Sequence, residues 1–173
     1  LDWLEEWHQT EWPELDVYMT SVTEQWSVVT LSGPKARQIL SEAHCDIDLS
    51  DTAFPFMSMQ EGHVAGMPAR IFRISFTGEL SYEINVPARY GLALWTSLIK
   101  AGAPHDITPY GTEAMHVLRA EKGFIIVGQE TDGTVTSTDL GMQWIVSDKK
   151  PDFIGKRALA RKSMASPERK QLV

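Results

Sequence analysis

The sequence predicts an α+β fold in which a mixed or antiparallel sheet has helices packed on one face. Short runs rich in β-branched and aromatic residues occur in pairs separated by turn residues, which is typical of hairpins rather than βαβ crossovers. Segments with apolar residues at helical spacing lie between these runs. Gly128, Gly133 and Gly141 do not form the GxGxxG turn of a dinucleotide-binding fold. The 173 residues suffice for one domain with its own core, so we expect a single domain over residues 1–173.

The first predicted elements are a helix, a hairpin and a second helix. Residues 1–12 carry apolar side chains near helical spacing, and Pro13 ends that helix. Residues 17–22 and 26–31 are strand-like runs with three residues between them, which predicts a hairpin. A helix then begins at Gly33-Pro34, because proline suits the first helical position. The apolar face of this helix comprises Ala36, Ile39, Leu40 and Ala43.

A second hairpin follows an irregular stretch at 46–58. Residues 61–65 and 67–75 predict two strands that are joined at Gly66. A loop at 76–81 then leads into a further strand at 82–86.

The remainder of the chain contains two clear helical patterns. A helix follows Pro87 from about Ala88, Gly102 caps it, and its packing residues are Leu94, Trp95, Leu98 and Ile99. Residues 112–122 predict another helix, which Gly123 stops. The last predicted elements are a polar loop at 128–140, a strand at 142–147 and a helix at 156–162.

Composition and charge argue against several classes of function. The chain is 43% apolar and 23% charged, as in ordinary globular proteins, and no apolar run reaches the roughly 20 residues of a membrane helix. The net charge of −7 argues against nucleic acid as the main partner. Cys45 is the only cysteine, which excludes an internal disulfide and favours a reducing cytoplasm. The chain has neither a starting methionine nor a signal-peptide pattern, so we expect a piece of a longer protein.

Glu83 is the most informative polar residue. It stands between Tyr82 and Ile84, which face the opposite side of the predicted strand. The residues alone leave two interpretations open: a strand carboxylate that faces solvent, or an inward carboxylate that needs a binding partner. The preceding Phe76-Thr77-Gly78 is equally open, because it fits a plain hairpin loop with one buried aromatic or a loop that lets the backbone approach a flat ligand.

Metal and nucleophile patterns are missing from the sequence. No two of the five histidines lie four residues apart on a helix, so we expect no metal site. No serine lies in a GxSxG turn, and Cys45 has no neighbouring base. We therefore assign no catalytic residue.

Five sequence blocks in a fixed order resemble the aminomethyltransferase family, the folate-binding family of the glycine-cleavage T-protein. One block begins a helix with Leu-x-Gly-Pro-x-Ala, another contains Pro-Phe-Met, a third reads Phe-Thr-Gly-Glu and ends in Tyr-Glu-Ile, and a fourth is Leu-Arg-x-Glu-x-Gly. The blocks occupy residues 31–40, 54–57, 76–84, 118–123 and 139–157. Together they are spread over residues 31–157 of the 173.

The resemblance implies tetrahydrofolate binding by named residues. Glu83 is expected to accept hydrogen bonds from the 2-amino group and the adjacent ring N–H of the pterin. The residues expected to line the folate pocket are Phe76, Thr77, Gly78 and Tyr82. Met115 takes the position of a folate-contacting arginine of the family. A thioether cannot replace a guanidinium, so a simple glycine-cleavage transferase is disfavoured.

Residues 111–116 and 123–134 are similar to one branch of that family, the α subunits of heterotetrameric sarcosine oxidases. This implies a fragment of a larger subunit, without the upstream residues that hold the family's catalytic aspartate and without the C-terminal β-barrel. The implied function is capture of the one-carbon unit released by sarcosine oxidation, which forms methylenetetrahydrofolate. FAD, FMN and NAD are expected only in the intact oligomer with its other subunits, so the fragment alone is expected to be inactive.

Two other functions stay open. One is a tetrahydrofolate-dependent aminomethyltransferase or demethylase, which an arginine at Met115 would have favoured. The other is a non-enzymatic accessory protein with the same fold, whose signature has a cysteine where this chain has Phe124.

Overall fold

Four antiparallel strands form one sheet in the spatial order β1-β4-β3-β2. The strands are β1 (Trp26–Ser32), β2 (Met59–Val64), β3 (Met67–Phe72) and β4 (Ser81–Pro87). The structure is a computed structural model that describes residues 1–162 and 164. The α+β class is confirmed, and every strand pair in the described sheet is antiparallel.

The chain separates into two compact units, Leu1–Phe124 and Ile125–Val173. The sequence predicted one domain over residues 1–173. The four strands and all helices of more than four residues in the described chain belong to the first unit.

The helices of the first unit are α1 (Asp2–Thr10), α2 (Ala36–Glu42), α3 (Gly91–Gly102) and α4 (Thr112–Lys122). The limits of α4 agree with its sequence pattern, and Gly123 ends it in the left-handed region with φ 81°. α3 starts later than predicted, because residues 88–90 form a 3₁₀ turn before Gly91.

One face of the sheet is covered by α2 and α3, and we call it the core face. Alternate strand residues point to this face and are nearly or fully buried, as are two leucines of α3. The core comprises Leu31, Ala36, Ile39, Leu40, Ala43, Leu49, Phe54, Val64, Met67, Ala69, Ile71, Tyr82, Ile84, Val86, Leu94 and Leu98. The opposite face, which carries Thr30, Arg70 and Glu83, is called the outer face below.

Trp95 was predicted to pack with Leu94 and Leu98, and this part of the helix prediction was wrong. Its side chain is 44% exposed, whereas both leucines are buried. Residues four apart share one helix stripe, and Trp95 lies beside that stripe rather than on it.

The turn between β2 and β3 is built as its sequence predicts. Ala65 and Gly66 both have positive φ, 49° and 78°, and Val64 pairs directly with Met67. Two central residues with positive φ make the type I′ connection that matches the twist of a hairpin.

Two predicted strands were wrong. Residues 17–22 have no regular structure, and Val17, Tyr18 and Val22 are exposed, so β1 pairs with β4 and forms no hairpin with them. Residues 142–147 contain only a 3₁₀ turn, Gln143–Ile145. Strand propensity reflects how well side chains pack on a sheet beside neighbouring strands. Neither run has a partner strand in the described chain, so neither forms a strand.

The second unit contains mainly turns. Asp139 is buried, and its Oδ2 accepts hydrogen bonds of 2.8 Å from the backbone N–H and hydroxyl of Thr136. Its one described helix is α5 (Lys156–Leu159), which is shorter than the predicted 156–162. No helix in the described part of the chain is long and apolar enough to cross a membrane.

Candidate functional site

Glu83 lies on the outer face of the sheet, away from the covering helices. Along β4, Tyr82, Ile84 and Val86 are fully buried, whereas Glu83 and Asn85 are half-buried. This is the alternation that the sequence predicted. Glu83 is therefore partly withdrawn from water without being part of the apolar core.

The Glu83 carboxylate has few partners within the chain. In the ladder it lies opposite Thr30 of β1 and Phe72 of β3. Asn85 Nδ2 donates one long hydrogen bond of 3.3 Å to its Oε1. No ion pair to Glu83 occurs among the described residues. The carboxylate thus keeps acceptor capacity for a ligand with two parallel donors.

The ligand loop was predicted over residues 76–81, whereas the observed loop comprises residues 73–80 and connects Phe72 of β3 to Ser81, the first residue of β4. Gly78 has a φ of 85°, and its N–H donates to Ser75 Oγ over 2.9 Å. Thr77 is only 7% exposed, and its buried Oγ1 has no hydrogen-bond partner among the described residues. A buried hydroxyl without a partner is costly, so the Thr77 hydroxyl is an unsatisfied polar group of this loop.

This loop packs against the end of α4. Phe76 stacks on Phe124, with ring centroids 6.4 Å apart and planes inclined by 20°. A Cβ at Gly78 would come within 2.8 Å of the Lys122 side chain, so the backbone approaches α4 closely. The fold thereby joins two sequence blocks, Phe-Thr-Gly-Glu and Leu-Arg-x-Glu-x-Gly.

An ionic cluster holds the start of the same loop. Arg73 Nη1 donates to the Phe54 carbonyl and to Asp51 Oδ1, both over 2.6 Å, and Arg37 also binds Asp51. The Arg37 guanidinium, and next that of Arg73, hold the pKa of Asp51 below its ordinary value of 3.8. The loop is therefore fixed at its β3 end by charge-assisted bonds.

Tyr82 does not share a surface with Glu83. Its ring is fully buried on the core face, 5.9 Å from the ring of Phe54. Its hydroxyl accepts a hydrogen bond of 3.2 Å from Arg37 Nε. Adjacent residues of a strand point to opposite faces, so Tyr82 lies on the face opposite Glu83.

Met115 lies in a different concavity from the other predicted site residues. It is half-buried on α4 and lines a cavity of about 600 Å³ beside β1. Residues 105–112 also line this cavity. The cavity lining contains Thr30, the ladder partner of Glu83, but neither Glu83 nor the 73–80 loop.

Three neighbours of Glu83 were not assigned from the sequence: Thr30, Phe72 and Asn85. Period-two alternation in β4 was enough to place Asn85 on the same face. Thr30 and Phe72 depend on strand register, which the local sequence does not specify.

The described residues contain no group of three His, Cys, Asp or Glu side chains that could hold a metal ion. Cys45 is half-buried, and burial raises the pKa of its thiol, as expected for a small apolar packing residue.

Comparisons with known proteins agree with the sequence blocks. The chain is 57% identical to the sarcosine oxidase subunit alpha of Corynebacterium sp. (strain P-1), over all of this chain and 18% of that subunit. It is 36% identical to the aminomethyltransferase of Chlorobaculum parvum, over 82% of this chain and 38% of that protein. A chain of the solved heterotetrameric sarcosine oxidase from Corynebacterium sp. U-96, in complex with pyrrole 2-carboxylate, aligns with a TM-score of 0.46 and 25% identity over 53% of this chain and 45% of that one.

The chain thus spans about a fifth of the length of its sarcosine oxidase relatives. The family model described as the GCVT N-terminal domain matches residues 1–150. This match covers most of the chain and confirms the resemblance read from the sequence blocks. The chain belongs to the GCVT N-terminal domain family.

Proposed function

We propose that the unit Leu1–Phe124 binds a reduced folate, with the pterin ring held by Glu83. The observation that carries the proposal is a half-buried carboxylate with one long internal hydrogen bond and no ion pair among the described residues. The 2-amino group and adjacent ring N–H of a pterin present two parallel donors. One carboxylate accepts both, as it does from a bidentate arginine.

The surroundings of Glu83 support a flat heteroaromatic ligand. Phe72 and Thr30 flank the carboxylate on the neighbouring strands. Phe76, which is 37% exposed and stacked on Phe124, offers an aromatic ring in the loop that precedes β4. The unpartnered Thr77 hydroxyl adds a polar group in this loop. Tyr82 acts through the core, not as a pocket wall.

In the full-length protein, we place this unit in the α subunit of a sarcosine oxidase, an enzyme with further subunits and with FAD, FMN and NAD sites elsewhere. The folate supplies the two amines that accept the one-carbon unit released from sarcosine, with loss of one water. The protein residues contribute orientation, because a bound acceptor amine meets the electrophile at high effective concentration. We expect no sarcosine oxidation by this chain alone.

Calorimetric titration with 5-formyltetrahydrofolate tests the proposal. Glu83→Gln should weaken binding about tenfold or more, since its amide places an N–H against the donor edge of the pterin and removes a charge-assisted bond. Glu113→Gln, which changes an exposed carboxylate on α4, should leave the affinity unchanged.

Equal affinity of the wild type and Glu83→Gln would show that the pterin does not lie at Glu83. Absence of binding to both this chain and the full-length subunit would refute folate binding altogether.

A further inference from the structure

Arg70 lies on the outer face, one step along the ladder from Glu83. It pairs with Asn85, while the next outward residue of β3, Phe72, pairs with Glu83. Two residues of a strand span about 7 Å, so Arg70 begins about that distance beyond the carboxylate, on the side away from the 73–80 loop. A ligand with its head between this loop and Glu83 would extend toward Arg70.

The Arg70 guanidinium is held from two sides. Its Cζ lies 4.7 Å from the centre of the Trp26 ring, and its Nε donates a 2.7 Å hydrogen bond to Glu61 Oε1. The two terminal nitrogens donate no hydrogen bond to any described residue. The side chain is 50% exposed. A planar guanidinium whose Nε is fixed and whose two terminal nitrogens are open suits a bidentate contact with a carboxylate.

Arg70 is also the only lysine or arginine in the four strands. An anionic group laid along the outer face therefore has one cation of the sheet to meet. Along the outer face, the carboxylate of Glu83 is followed, on the side away from the 73–80 loop, by the amide of Asn85 and the guanidinium of Arg70 on the same ladder step. This order matches a ligand with a flat donor head and an acidic tail.

We propose that Arg70 binds a carboxylate of the glutamate tail of the folate and determines specificity for the acidic form of the ligand. The assignment rests on the proposed function, because it uses the same bound molecule. Trp26 and Glu61 act as positioning residues: the ring supports the guanidinium, and Glu61 turns its terminal nitrogens outward.

The test compares folic acid with its dimethyl ester, which has the same skeleton but no tail charge. Calorimetry on the wild-type chain should give about tenfold tighter binding of the acid. Arg70→Gln should remove that preference by weakening the acid and leave the ester affinity unchanged. Lys100→Gln, which removes one charge from the exposed side of α3 across the sheet, should change neither ligand.

Glu61→Gln separates ligand binding from a structural role of the ion pair. Arg70→Gln and Glu61→Gln both break the Arg70–Glu61 ion pair. If the pair had only a structural role, the two variants should therefore change the preference for the acid equally. If Arg70 binds the tail, Glu61→Gln should preserve or widen the preference for the acid, because it removes a competing anion.

Equal binding of acid and ester by the wild type, or an unchanged preference in Arg70→Gln, would overturn the tail assignment. Glu83→Gln weakens both ligands by the same factor if the pterin assignment is right, so that result stands separately. If neither ligand bound the chain or the full-length subunit, both assignments would be overturned.

Discussion

The two faces of the four-stranded sheet differ in burial and in polarity. The core face is apolar and closed, with Tyr82, Ile84 and Val86 fully buried beneath α2 and α3. On the outer face, Glu83 and Asn85 are half-buried and Arg70 is exposed. One strand thus contributes to stability through its even-numbered residues and to recognition through its odd-numbered ones. Substitutions of neighbouring residues in β4 should therefore affect different properties.

The largest expected effect on stability comes from the core face. Ile84→Ala should lower the free energy of unfolding by about 2–5 kcal/mol, since it removes a fully buried side chain and leaves a cavity. Glu83→Gln should change it by about 0.5 kcal/mol or less. Urea unfolding followed by circular dichroism measures both. Similar losses of unfolding free energy in Ile84→Ala and Glu83→Gln would contradict the division between the two faces.

Tyr82→Phe is expected to have an intermediate effect. It deletes the hydroxyl that accepts a hydrogen bond from Arg37 Nε, which should cost about 1 kcal/mol of unfolding free energy. Folate affinity should stay at the wild-type value, because the ring points into the core. A loss of affinity without a loss of stability would place Tyr82 in the ligand pocket instead.

The ionic cluster below the loop should make part of the stability depend on pH. The pKa of Asp51 is lowered in the folded chain, chiefly by Arg37, so its contribution is present above the ordinary value of 3.8 and is lost as pH falls through the folded pKa. At pH 7, the wild type should unfold at a higher urea concentration than Asp51→Asn. The difference should shrink as pH falls below 3.8 and through the folded pKa of Asp51, because the protonated carboxyl group is then neutral like the amide. A constant difference across this range would exclude the ionised carboxylate as the cause.

The smallest expected effect lies on the outer face. Arg70 and Glu61 form an exposed ion pair, with side chains 50% and 63% exposed, and such pairs contribute about 0–1 kcal/mol. Arg70→Gln should therefore unfold at nearly the wild-type urea concentration. A loss above about 2 kcal/mol would mean that Arg70 supports the fold rather than a ligand.

Local signals in the sequence were sufficient for much of the first unit. The helix Thr112–Lys122 was predicted with its limits, because Gly123 supplies the left-handed cap that stops it. The hairpin turn at Gly66 was predicted for a similar reason, since glycine readily adopts the positive φ of 78° that this turn position has. The alternation in β4 placed Tyr82 and Glu83 on opposite faces without knowledge of the tertiary structure.

Properties that depend on distant partners were not predictable in the same way. The run 17–22 has strand propensity but no partner strand in the described chain, so its pattern was misleading. Which face of β4 would be covered depends on where α2 and α3 pack. Arg70 was not predicted as a site residue, because its nearness to Glu83 follows from the register of β3 against β4, which the sequence of β3 alone does not specify.

The two outer strands of the sheet are β1 and β2, and no described strand of the sheet pairs with their outer edges, although Asp46 hydrogen-bonds the backbone of His63 in β2. β2 carries Glu61 and His63, whereas β1, Trp26–Ser32, contains no charged residue and no proline. Val28 of β1 is 52% exposed. Unpaired backbone groups on an uncharged edge are a template for another strand, and charges are a common safeguard against such pairing. Concentrated solutions of this chain should therefore aggregate through β1, and a lysine at Val28 should keep the chain monomeric.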